Sequence, residues 1–265
     1  MDVPQAQSDF RITPLTRFVQ GGKWRTEAMR SYRQPVLVWF TRGQGRFTIS
    51  GVTRGYGAHN MIFLPAGTMH GFDTIGQSFG QILHLKDDPS LMWPEEALHL
   101  RFRDAAQQGE LTALIDGLGR EISADLPGRE RALMLHAGLL SVWLERQMAM
   151  MPDYDPHPDA SRRLAAAFTA LVEEEFMTGK SVADYAAALG VTPTHLSRAC
   201  NIACGRPASA LLSDRIHYEA RRLLAETEKP VKDIAQELGF TSAAYFTRAF
   251  HKTTGVTPSD FRTKQ

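Results

Sequence analysis

Between Pro35 and Leu85 the apolar residues come in short β-branched and aromatic runs, each bounded by breaks that contain glycine. PVLVWFT (Pro35–Thr41) and GRFTIS (Gly45–Ser50) flank RGQG, and the two glycines of that break predict a hairpin. HNMIFLPAG (His59–Gly67) and SFGQILHL (Ser78–Leu85) continue the pattern, so residues 1 to about 90 read as a β-barrel or sandwich. From Pro94 to Met151 the period becomes helical, and Leu133, His136, Leu140, Trp143, Leu144 and Gln147 lie on or beside one stripe. Such a stripe serves either an intramolecular face or the pairing of two subunits. MPDYDPHPD (Met151–Asp159) carries three prolines and three aspartates and predicts a linker. Everything after it reads as helix, beginning with the amphipathic SRRLAAAFTALVEEEF, whose Glu173–Glu175 run reads as a solvated face turned away from any polyanion.

Among these predicted helices a single pattern occurs twice. Val182, Asp184, Ala186, Leu189 and Gly190 recur 49 positions later as Val231, Asp233, Ala235, Leu238 and Gly239. Leu196, Arg198, Ala199, Cys200 and Gly205 recur 50 positions later as Phe246, Arg248, Ala249, Phe250 and Gly255. Each copy predicts a short helix, a glycine stop, a capping residue and a second helix: Thr192 before Pro193 in the first copy, Thr241 or Ser242 in the second. This is the plan of a helix-turn-helix, whose second helix can enter a DNA major groove. The helix predicted between the copies, about Ala208 to Thr227, is roughly 30 Å long at 1.5 Å per residue, close to one DNA turn.

Charge sharpens this picture only slightly. The 265 residues carry 30 Lys+Arg against 29 Asp+Glu, a net +1. Pro193–Gln265 holds eleven Lys/Arg and seven Asp/Glu, so it carries +4 and the remainder −3. Cys200 and Cys204 are too few for a structural zinc site and read as small buried thiols. The start MDVPQAQSDF lacks a basic end followed by an apolar core, and no stretch approaches 18 uncharged apolar residues. The expectation is a cytoplasmic protein with no membrane contact.

RIHYEARRLL and IAQELGF-TSAAYFTRAFHKTTGVTPSDFR carry the patterns R-x(4)-A-x-x-L-L, I-A-x-x-x-G-F and F-x-R-x-F-x(4)-G-x-x-P-x(2)-[YF]-R. On these residues Ala160–Arg262 resembles the DNA-binding domain of the AraC/XylS family of bacterial transcription regulators. YEARRLL, LGF and AYFTRAF are most similar to a subgroup governing aromatic-acid catabolism. The first copy departs from the family in Cys200, where an aromatic residue is more usual. LPAGTMHGF (Leu64–Phe72) is similar to the second cupin motif, P-x-G-x-x-H, but the upstream H-x-H that supplies further ligands in cupin enzymes is missing from EAMRSYRQPVLVWF. One imidazole, His70, cannot hold a catalytic metal, so neither metal nor cofactor is expected. His70 reads instead as a hydrogen-bonding group of a pocket or as a structural residue.

These readings together predict an α+β chain. It has a cupin-like β-barrel sensor (1–90), a helical dimerisation segment (91–150), a linker (151–159) and an all-α domain with two helix-turn-helix motifs (160–265). Trp24, Tyr32, Trp39, Phe63, His70 and Phe72 are the candidate effector pocket, with Phe40 as further aromatic surface. Arg25, Arg30, Arg33, Arg42 and Arg46 include candidates to pair an effector carboxylate, although strand arginines more often face solvent. Thr194, Ser197, Arg198, Ala244, Tyr245 and Arg248 lie early on the second helices and are the expected base readers. Arg215 and Lys252 flank them and are the expected phosphate contacts. The expected activity is effector-responsive control of catabolic genes, not catalysis. Its partners would be an operator duplex, a small organic acid (aromatic by the resemblance), a second copy of the chain and, for an activator, RNA polymerase. A metal-dependent cupin enzyme fused to a DNA-binding module is the rival reading, and a sensor that binds a protein or nothing is another.

Overall fold

A computed structural model describes residues 9–19, 26–150 and 159–263. The predicted linker therefore lies almost wholly outside the described residues, as do Trp24 and Arg25.

The N-terminal domain is built on six strands: β1 (Arg11–Pro14), β2 (Val36–Ile49), β3 (Val52–Tyr56), β4 (Asn60–Leu64), β5 (His70–His84) and β6 (Leu98–Arg101). A short helix, α1 (Leu15–Val19), follows β1. The order is β1-β5-β2-β4-β6, with β3 paired to β2, an open path in which the two outer strands do not meet. All pairings are antiparallel.

The hairpin predicted at RGQG does not form. PVLVWFT and GRFTIS are two halves of the single long strand β2, which β5 accompanies along its whole length. At this point β5 crosses so closely that a side chain on Gly45 would meet the Asp73 carbonyl, and one on Gly43 would meet Ser78. The glycines here allow close approach and two register shifts, not a reversal. The shifts bring Phe40 and Phe47 onto the same face although an odd number of positions separates them. The chain reverses later, at Ser50–Gly51, where both residues are left-handed (φ 47° and 70°).

The first half of β2 is buried on both faces. Val36, Val38 and Phe40 join one cluster with Phe47, Tyr56, Ile62, Phe72 and Ile82. Leu37 and Trp39 join a second with Met61, Phe63 and Leu83, covered by helices α2 (Ala105–Ser123) and α3 (Arg129–Ala149). The helical region begins later than its period suggests, because His99 and its neighbours form β6 on the β4 edge. The stripe on α3 is an intramolecular face: Leu133, Leu140 and Leu144 are fully buried beneath the sheet and α2. The apolar residues that α3 leaves exposed include Leu135, Leu139 and Val142, one turn apart along a different line.

The C-terminal domain contains α4 (Ala160–Glu175), α5 (Val182–Ala188), α6 (Pro193–Cys204), α7 (Ala208–Glu226), α8 (Val231–Glu237), α9 (Ala243–Thr254) and α10 (Pro258–Thr263). Their shared core also takes in Met29 and Met69 of the N-terminal domain. No helix among the described residues is long and apolar enough to cross a membrane.

Candidate nucleic-acid interface

The two copies are built by the same local rules. In the first, Ser181 and Asp184 form a reciprocal capping box that starts α5. Thr192 Oγ1 then accepts from the His195 backbone N–H at 3.2 Å and starts α6 with Pro193 in its first turn. In the second, Ser242 Oγ accepts from Tyr245 N–H at 3.2 Å and starts α9, so Ser242 and not Thr241 supplies the cap. Both second helices have 12 residues. The connection is four residues in the first copy (189–192) and five in the second (238–242), which is the extra position seen in the repeat. Ala186 and Ala235 are buried, small enough for the paired helices to approach closely.

Each second helix turns a polar face outward. Thr194, Arg198 and Asn201 of α6 are exposed and Ser197 half-exposed, and they line an open depression together with Pro193 and Ile202. On α9, Ala244, Tyr245 and Arg248 are exposed, and Lys252 follows one turn after Arg248. Neither Arg198 nor Arg248 makes an ion pair or side-chain hydrogen bond with a described residue. Neither α6 nor α9 contains an aspartate or glutamate, whereas α4, α5, α7 and α8 all do. The outward faces of these two helices are thus cationic and free of acid. Asn201 and Ile202 were legible as i+3 and i+4 neighbours of Arg198, a signal that the early-helix rule passes over.

Arg215 is not available to phosphate. Its side chain is 7% exposed, its Nε donates to Glu173 at 2.9 and 3.0 Å, and its guanidinium lies 3.8 Å over the Phe176 ring. A second carboxylate, Glu219, accepts at 3.1 Å. Glu173 consequently does not sit on a solvated face; it also accepts from Ser31 Oγ at 2.6 Å, a contact between the two domains. Burial raises the Glu173 carboxyl, and Arg215 and Ser31 only partly offset that rise. Burial also pushes Glu219 upward, but hydrogen bonds and charge from Arg222 and Arg215 outweigh it and hold that carboxyl low. Asp214, next along α7, accepts from the Met29 backbone N–H at 3.2 Å.

In the sheet domain the candidate pocket residues divide between two faces. Tyr32 and Phe72 lie on the inner face, and His70 stands beside them, its ring 5.1 Å from Tyr32. Trp39 and Phe63 lie on the other face, against Phe102 and Trp93. Arg33, Arg42 and Arg46 are exposed, but Arg30 is buried. Its guanidinium donates to the Thr26 carbonyl at 2.8 Å and Tyr32 Oη at 3.0 Å, and it faces the rings of Tyr32, Phe72 and Tyr218 of α7. Burial first, then the charge of Arg30, hold His70 well below an ordinary imidazole. His84, 4.9 Å from Tyr32, is lowered to about 4 by burial, with Arg11 and Arg30 adding to it, and its buried Nε2 has no hydrogen-bond partner among the described residues. Among the described residues no three or more His, Cys, Asp or Glu are placed to hold a metal ion.

Residues 185–264, which span the end of α5 through α10, match a helix-turn-helix domain family. The arabinose operon regulatory proteins of Salmonella typhimurium and Escherichia coli are 28% and 26% identical over 174 residues. Those matches cover 65% of this chain and 60% and 58% of the two relatives, so the chain spans somewhat over half of their length. The chain is similar to regulators of the AraC/XylS family. Another relative, the virulence regulon transcriptional activator VirF of Yersinia enterocolitica, is 31% identical over 91 residues, 34% of each chain. Among solved structures, ToxT from Vibrio cholerae aligns with 96% of this chain and 97% of its own, at 13% identity and a TM-score of 0.44. An unsaturated fatty acid-bound form of ToxT aligns at 14% identity and a TM-score of 0.43, covering 96% and 94%.

Proposed function

We propose that this chain is a DNA-binding transcription regulator whose β-sheet domain senses a small organic acid. The observation that carries the first half is the pairing of two acid-free, outward helices with an unpartnered arginine at the same position of each. An arginine so placed suits bidentate contact with guanine O6 and N7. The α7 helix between the copies has 19 residues, about 28 Å at 1.5 Å per residue, near the 34 Å of a DNA turn. Thr194, Ser197, Ala244 and Tyr245 complete the reading set, and Lys252 takes phosphate.

The sensing half rests on a cupin-like reading of the sheet and on Tyr32, His70 and Phe72 gathered around the Arg30 charge. Buried cation, imidazole and flat rings together favour an anionic, planar ligand, such as an aromatic acid. A second copy of the chain would pair through Leu135, Leu139 and Val142, since Leu140 and Leu144 are used internally.

Selection from random duplexes followed by gel shifts tests the reading. A bound site of two elements about one DNA turn apart is expected. The double variant Arg198→Ala/Arg248→Ala should retain only salt-sensitive, sequence-independent binding. A chain that binds no duplex, or a double variant with unchanged preference, refutes the proposal. Calorimetry of the full chain against aromatic acids tests the sensor: heat from a sugar or an amine, with none from any acid, refutes the ligand class.

A further inference from the structure

We infer that the first reading helix continues its sequence preference into Asn201 and Ile202, which would select an adenine and a thymine next to the guanine assigned to Arg198. This inference rests on the DNA-reading function proposed above and adds to it which bases α6 chooses.

Position comes first. At about 100° per residue, Thr194, Ser197, Arg198, Asn201 and Ile202 fall within an arc of roughly 140° on α6. The five line one open depression with Pro193. From Thr194 to Ile202 the helix advances about 12 Å, enough to pass three or four base pairs at about 3.4 Å each. Asn201 and Ile202 sit one turn beyond Arg198, a step of about 5 Å or one to two base pairs.

Chemistry comes second. Ile202 is 61% exposed, and among the described residues of the C-terminal domain only Ile202 and Tyr245 are large apolar side chains left exposed. Both lie on the outward faces of reading helices. Asn201 is exposed, and its side chain has no partner among the described residues. Within the helix neither residue is an especially favourable choice, even in the last turn where they stand, since Asn competes for backbone hydrogen bonds and Ile loses rotamer freedom. Neither serves a cap or a core. A major groove offers each a complement, because an asparagine amide matches adenine N6 and N7 and an apolar side chain covers the thymine methyl. The second copy differs at these same two positions, with His251 and Lys252 there. A lysine at that point suits phosphate, and an isoleucine does not. The two copies therefore end their reading faces differently, the first on bases and the second on the backbone.

The thymine methyl gives a direct test. The full-length chain first selects its site, and each thymine of that site is then replaced in turn by deoxyuridine, which removes only the 5-methyl group. In the wild type, one replacement beside the guanine assigned to Arg198 should weaken binding about fourfold, the value of one buried methyl. Ile202→Ala should be insensitive to that replacement, and Asn201→Ala should lose about tenfold preference for adenine at a neighbouring position. Both side chains are exposed, so neither variant threatens the fold. A wild type and Ile202→Ala that share one deoxyuridine profile overturn this inference alone, as does an Asn201→Ala that keeps every base preference. A wild type that selects no sequence overturns the DNA-reading proposal and this inference with it.

Discussion

Helix α6 packs Cys200 into the core where α9 packs Phe250, and the exchange changes what each copy leans on. Phe250 meets Phe246, Phe261 of α10 and His217 of α7 at ring separations of 5.7, 5.6 and 6.3 Å, so the second copy adds a ring cluster to the shared core. Around Cys200 no such ring cluster forms among the described residues. The first copy takes its support from α4, where Phe168 meets Tyr185 of α5 edge-on at 5.7 Å, and from the sheet domain, since β3 lies against α6. Met29 and Met69 enter the same core, and Ser31 and the Met29 backbone hold Glu173 and Asp214. Two motifs with one plan thus differ in attachment: the first also touches the sheet domain, and the second leans on α7, α10 and the segment that leaves α4.

The largest expected effect comes from breaking those separate supports. Phe250→Ala should cost about 3–5 kcal/mol, the usual loss for a buried aromatic ring. Cys200→Ala removes one small buried group and should cost about 1 kcal/mol. Urea midpoints of the two variants measure this directly. Equal losses would mean that the ring cluster around Phe250 adds nothing to the shared core and that the contrast is only apparent. Burial, with Cys204 close by, pushes the Cys200 thiol up to about 12, so alkylation at neutral pH should spare it until the first copy opens.

The two turn glycines give the next contrast. Gly190 and Gly239 both have positive φ, 68° and 76°, and an alanine at either meets the left-handed strain of about 1–2 kcal/mol. At Gly190 a methyl would point into open space. At Gly239 it would lie 2.3 Å from the Gly179 backbone nitrogen, because the second turn rests directly on the segment that leaves α4. Gly239→Ala should therefore lose about 3 kcal/mol or more, and Gly190→Ala close to the strain alone. A Gly190→Ala as damaging as Gly239→Ala would show that the first turn is buried in some state of the protein.

The sequence revealed both copies because their signals are local. A cap, a glycine stop and an outward arginine are set by residues within one or two helical turns. The open sheet was less legible. Whether RGQG reverses the chain or only bends it depends on β5, some thirty residues away, which runs beside it. Periodicity found the α3 stripe but could not say whether the sheet or a second subunit covers Leu140 and Leu144. Arg215 looked like a phosphate ligand because the carboxylate that claims it, Glu173, is 42 positions back along the chain. Glu219 at i+4 was the one hint within reach. Aromatic character alone does not say which side of a sheet a residue takes, and the pocket candidates divide between its two faces.

Reading chemistry sharpens the comparison further. Arg198→Ala and Arg248→Ala should each cost about 1–3 kcal/mol of specific binding and relax preference at one position, roughly one DNA turn apart. Binding-site selection on each variant checks this. If either loses affinity without changing preference anywhere, that arginine is a phosphate contact and the equivalence of the copies ends at the scaffold.

The smallest effect is the most discriminating, because it separates charge from sequence. Lys252 and Ile202 occupy equivalent positions, one exposed ammonium and one exposed hydrocarbon. Each phosphate neutralised by a side chain releases counterions and steepens the dependence of log K on log salt by about 0.9. Lys252→Ala should lower that slope by about one and weaken all duplexes alike, leaving the selected sequence unchanged. Ile202→Lys should do the reverse, adding about one to the slope while erasing preference at its thymine. If Ile202→Lys leaves the slope unchanged, the far end of α6 does not reach the backbone that the far end of α9 reaches. The two helices would then enter their grooves at different depths, which the five-residue second turn, one longer than the first, gives the chain a means to set.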